Sequence, residues 1–85
     1  MPELARFYGI VIAMFWRDHL PPHFHAYYAG HEVEIGLDGT LLAGSLPRRA
    51  LLLVEEWRSA HLAELEADWE RASRKEPMDP IPPLE

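Results

Sequence analysis

The chain has 85 residues, no cysteine, and 14 acidic against 8 basic side chains, for a net charge of −6. That length holds one small domain, which buries about 60% of its unfolded surface and supports about one sheet layer with one helix. Without cysteine there are no disulfides or thiolate metal sites, so a metal would have to be held by His, Asp or Glu; the acidic balance weighs against nucleic-acid binding by charge.

The longest apolar stretch, Phe7 to Trp16, is too short to span a membrane. No basic segment precedes it and no small-residue cleavage site follows it, so it is not read as a signal peptide and the expected location is cytoplasmic. The stretch is β-branched and aromatic, and apolar at both alternating positions, which predicts a central strand covered on both sides. Pro21-Pro22 then sets up a turn. His23 to Ala29 reads as a second strand, and Gly30 permits a tight turn. His31 to Leu37 alternates, with Val33, Ile35 and Leu37 on one face and Glu32 and Glu34 on the other. Asp38-Gly39 is a two-residue hairpin signal, and Thr40 to Gly44 gives a fourth strand.

Ser45-Leu46-Pro47 predicts a helix start, with Ser45 as N-cap and the helix running from Pro47 to Arg74. At 100° per residue, Ala50, Val54, Trp57, His61, Leu65 and Ala72 share one sector, flanked by Leu51, Leu53, Leu62 and Trp69. Glu76 to Glu85 holds four prolines and cannot continue the helix. The expected organisation is therefore a single domain over residues 1–75 and a proline-rich, extended or mobile tail over residues 76–85. The expected fold is α+β: a four-stranded, mainly antiparallel meander with one long C-terminal helix packed on one face. A core of this size often gains stability by self-association, so a homodimer is expected.

Chemistry concentrates at Asp18 to Tyr28, where three of the five histidines lie within seven positions. Histidine is the commonest metal ligand and titrates near neutrality. If His23-Phe24-His25 is extended, both imidazoles leave the same strand face, about 6.5–7 Å apart at Cα. The metal candidates are therefore His23 and His25, with His19, Asp18 or His61 as a third ligand for Zn, Ni or Mn. Other readings stay open. The imidazoles could simply pin the Pro-Pro turn, and His61 could be a hydrogen-bonded core residue. Together the rings could serve a small hydrolase or ribonuclease as acid and base, with Arg17 or Arg48 opposing phosphate charge. Strand alternation leaves two orientations: His23 and His25 facing away from His61, or meeting it in one cluster. Arg48 and Arg49 sit at the helix start, where cations oppose the helix dipole, and Arg17, Arg48 and Arg49 are candidate contacts for an anion or an acidic partner. Glu32 and Glu34 are read as solvated guards of a strand face, and Trp69, at the edge of the apolar sector, as an anchor for a partner.

Phe7-Tyr8-Gly9-Ile10, Asp18-His19, Pro21-Pro22-His23-Phe24-His25-Ala26, Leu46-Pro47-Arg48-Arg49-Ala50, and Glu56-Trp57 with His61, Leu65 and Trp69 follow one another in a distinctive order. In this the chain resembles the bacterial family catalogued as domain of unknown function 4160, from about Arg6 to Glu70. The resemblance implies a small bacterial protein encoded beside another small protein, in a two-gene, toxin–antitoxin-like arrangement. It implies a protein partner and attaches no catalytic role to His19, His23, His25 or His61. The combined expectation is an accessory or interaction protein with a transition-metal site; membrane and nucleic-acid partners are not expected.

Overall fold

The computed structural model describes residues 2–85; Met1, at the head of the expected domain, lies outside the described residues. Five strands run in chain order: β1 (Glu3–Phe7), β2 (Ile10–Ala13), β3 (His23–Tyr28), β4 (His31–Gly36) and β5 (Leu41–Gly44). They form one antiparallel meander in which each strand pairs with its neighbours in sequence. Two helices follow, α1 (Arg48–Ala60) and α2 (Leu62–Ser73). The α+β class and the meander are as expected. The strand count and the single long helix are not.

The extra strand lies ahead of the apolar stretch. Tyr8 (φ 50°) and Gly9 (φ 79°) are both left-handed, the conformation of a type I′ hairpin, so the chain turns at the start of the stretch and Glu3–Phe7 pairs with Ile10–Ala13, Phe7 facing Ile10. Tyr8 disguises this turn, because a non-glycine residue at positive φ is not the usual I′ signal. The Ala29–Gly30 turn has the same form, at φ 48° and 82°. The Asp38-Gly39 connection is longer than two residues: the Gly36 N–H donates to Thr40 O, and Asp38 Oδ1 accepts from the Thr40 N–H.

The helix breaks at His61, whose φ of −124° and ψ of 25° leave the helical region. Its N–H is shared between the Trp57 and Arg58 carbonyls, and its own carbonyl accepts from Leu65. The first turn of α1 has no side-chain cap; Pro47, not Ser45, occupies the N-cap position.

Alternation sorts the sheet into two faces. Phe7, Ile10, Ile12, Phe24, Ala26, Val33 and Ile35 form the apolar face. Val54 and Trp57 of α1 join the same buried cluster, with the Trp57 ring 5.6 Å from Phe7 and 5.8 Å from Phe24. Of the expected stripe, Ala50, Val54, Trp57, Leu65 and Ala72 are buried, and His61 at its centre is half-buried. Glu76 to Glu85 forms neither helix nor strand and is pinned to the domain. Ile81 is buried and its N–H donates to Leu4 O, the Trp57 indole donates to Pro82 O, and the Asp79 N–H donates to the buried Asp68 carboxylate.

A candidate metal centre on the polar sheet face

The second face of the sheet carries the histidines. β3 offers His23, His25 and Tyr27 there, alternating with Phe24 and Ala26 on the apolar face. Register with β4 sets His25 opposite Glu34 and Tyr27 opposite Glu32. Register with β2 sets Ala13 beside His25 and leaves room over the rings.

The segment between β2 and β3 fills that room. It is tied down where the Arg17 N–H donates to Ala72 O at the end of α2, and where Pro22 O accepts from the Leu37 N–H. Phe15 meets the His25 ring edge-on at 4.7 Å, and His19 stacks on His23 at 4.6 Å. From α2, Trp69 lies 5.5 Å from the His23 ring. The result is a His23 side chain with no exposed surface and a His25 side chain 11% exposed.

Asp18 is the centre of the arrangement. Its Oδ2 lies 2.9 Å from His23 Nε2 and 3.2 Å from His25 Nε2, while Oδ1 accepts from the His19 N–H at 2.8 Å. Glu34 Oε1 is 3.5 Å from His23 Nε2 and 3.5 Å from His19 Nε2. Glu32 Oε2 is 3.4 Å from His25 Nδ1, a buried atom with no hydrogen-bond partner. Two triads of donor atoms converge closely enough to share one ion: Asp18, His23 and His25, and His19, His23 and Glu34.

The protonation of His23 follows from its partners. Nδ1 lies 2.8 Å from Pro21 O, which can only accept, so Nδ1 carries a proton and donates. The Nε2 of a neutral ring would then direct a lone pair at the Asp18 carboxylate. Two acceptors at 2.9 Å need a proton or a metal cation between them. Burial works to raise the Asp18 pKa. Hydrogen bonding from His25 and from the His19 amide, with the nearby His23 and His19 rings, outweighs burial and holds the carboxyl below its ordinary value. Tyr27 is pushed up, by burial first and then by Glu32, Glu34 and Asp18.

The remaining sequence candidates lie elsewhere. His61 stands in neither triad; its Nδ1 is 2.6 Å from Glu64 Oε1, and its ring rests 5.8 Å from Trp57. Of the two strand orientations, the structure has the one in which Phe24 meets Trp57 and the His23–His25 face turns away from it. Arg48 and Arg49 are exposed at the start of α1, and Arg49 lines a groove with Tyr8, Tyr28 and Leu53. Arg17 is exposed, with a left-handed φ of 53°, beside Asp18. Glu34, read as a surface guard, stands instead against His19 and His23. A signal for it was present. A two-residue turn at Ala29–Gly30 places residues whose numbers sum to 59 opposite each other, which pairs His25 with Glu34.

These features define a small α+β protein, a five-stranded antiparallel meander with two helices, α1 packed on the apolar face and a histidine–carboxylate cluster on the other, where Trp69 of α2 reaches it. The family described as Domain of unknown function (DUF4160) matches residues 9–70, and the chain belongs to that family. No curated protein and no solved structure matches the chain. Among the described residues, no helix is long and apolar enough to cross a membrane.

Proposed function

We propose that the chain binds one divalent transition-metal ion through Asp18 Oδ2, His23 Nε2 and His25 Nε2, with Glu34 and His19 in reach as further ligands. The observation that carries this reading is the fixed tautomer of His23. Its Nδ1 is committed to the Pro21 carbonyl at 2.8 Å, so its free lone pair is aimed where the Asp18 carboxylate and the second imidazole also converge. A backbone acceptor on the far nitrogen of a ligating histidine is the usual outer support of a metal site. The spacings of 2.9 and 3.2 Å lie near the ligand-to-ligand edges of a metal sphere with bonds of about 2.0–2.2 Å, about 2.8–3.1 Å if octahedral and about 3.3–3.6 Å if tetrahedral. Two imidazoles and a carboxylate suit Zn, and also Ni or Mn once Glu34 adds a further oxygen.

The test uses tag-free protein passed through a chelator, then assayed for retained metal and for thermal stability with added Zn²⁺, Ni²⁺ or Mn²⁺. Saturation at a hundred times Kd stabilises the fold by about 2.7 kcal/mol, which raises Tm by about 10–20 °C in a domain of this size. The rise should vanish in His23→Ala/His25→Ala. Equal stabilisation of that variant, or none of the wild type by any of the three metals, would remove the reading.

A further inference from the structure

A groove of about 440 Å³ runs between α2 and the turn before β3. Pro22, Leu37, Leu62 and Trp69 line it, and Trp69 is only half-buried although tryptophan carries the largest apolar surface of any side chain. Its rim is acidic, formed by Asp38, Glu66 and Glu70. Glu66 makes no ion pair among the described residues, and Glu70 has only a long, exposed contact with Arg74 at 3.4 Å. A partly exposed tryptophan over apolar walls, bounded by under-neutralised carboxylates, is complementary to a cationic segment with an apolar side chain.

Spacing narrows the occupant. Leu62, Glu66, Trp69 and Glu70 share one face of α2, and Glu66 and Glu70 stand one turn apart, about 6 Å. Alternate residues of an extended chain are spaced about 6.5–7 Å apart. We infer that this groove docks an extended segment of a partner protein carrying two basic residues at alternate positions and an apolar residue at the next alternate position, so that all three side chains leave the same face. The cations meet Glu70 and Glu66, and the apolar side chain, one step further along the same face, rests against Leu62 and Trp69. Trp69 also packs on the His23 ring, but neither Glu66 nor Glu70 belongs to the histidine cluster, and the inference does not rest on metal binding.

The test is titration of the full chain, free of added metal, with a synthetic Gly-Arg-Ser-Arg-Ser-Leu-Gly peptide followed by amide chemical-shift mapping. A counterpart with glutamate in place of arginine is run alongside. Expected are shifts confined to the Leu62–Glu70 face and residues 21–38, saturation below about 1 mM, and about tenfold weaker binding by Glu66→Lys/Glu70→Lys. That double variant changes only exposed positions, and its unchanged melting temperature serves as the folding control. Equal binding of the acidic peptide, shifts away from this face, or no saturation would overturn the inference. So would concentration-dependent shifts at this face in the protein alone, abolished in the double variant, which would assign the groove to a second copy of the chain.

Discussion

Asp18→Asn tests the histidine cluster most directly. The substitution keeps the size of the side chain and removes its charge. In the wild type, Oδ2 faces two Nε2 atoms at 2.9 and 3.2 Å and Oδ1 accepts a backbone N–H at 2.8 Å. A hydrogen bond to a charged group contributes about 1.5–3 kcal/mol. The Oδ1 bond survives in the amide, and the Asp18 side chain is 18% exposed, so water recovers part of what the two imidazole contacts lose. The expected cost in metal-free protein near neutral pH is about 2 kcal/mol, or about 8–16 °C in Tm. The sign of the pH dependence follows from the lowered Asp18 pKa. A carboxyl whose folded-state pKa is depressed stabilises the fold above its unfolded value, near 3.9, and loses that contribution as pH falls through the folded value. Thermal melts of both proteins in chelator, from pH 7 down to pH 3, should therefore show a gap that closes on acidification. A gap below about 0.5 kcal/mol at neutral pH, or one that persists undiminished at pH 3, would refute the account of Asp18 as the charged hub of the cluster.

Other predictions address the rest of the molecule. His61→Ala should leave metal-induced stabilisation unchanged, because His61 pairs with Glu64 outside both triads, whereas His25→Ala should abolish it; titration calorimetry of the two variants decides. Asp68→Ala should cost about 3 kcal/mol, since the fully buried carboxylate holds Arg71 at 2.8 Å and the Asp79 N–H at 2.8 Å. Hydrogen exchange at Asp79 and Ile81 should accelerate with it; unchanged protection there would show that the proline segment is held without Asp68. Gly44→Ala should destabilise more than Gly30→Ala. Both glycines have positive φ, but a Cβ at Gly44 collides with the Glu32 carbonyl oxygen, whereas nothing lies within 4 Å of one at Gly30. Gly30→Ala should cost about 1 kcal/mol, and Gly44→Ala should lower the denaturation midpoint well beyond that.

Much of this protein was legible in its chain order. Strands β3 to β5, the tight turn at Gly30 and the buried stripe of α1 and α2 are local matters, set by alternation, by turn chemistry and by helical period. The family resemblance also stood in the order of motifs, and the match over residues 9–70 agrees with it. The hairpin at Tyr8-Gly9 escaped because the apolar run from Phe7 carries no period to mark a turn near its start, and the strand it turns from, Glu3–Phe7, lies almost wholly ahead of the run. The break at His61 escaped because a stripe of apolar residues reads the same through a kink.

The centre of the site belongs to the tertiary structure. His23 and His25 were visible as a pair of same-face imidazoles, and Asp18 as one of several third ligands. Which face they occupy was decided by Phe24 reaching Trp57 in the core, a contact between residues 33 positions apart. That choice sent the rings to the other side. There the segment between β2 and β3, anchored at Ala72 and Leu37, folds back to close Asp18 onto both of them. Glu34 joined through strand register, and His61 was left with Glu64. Periodicity establishes which side chains share a face; only packing of distant segments establishes what covers that face, because a loop's path depends on anchors that lie outside the loop itself.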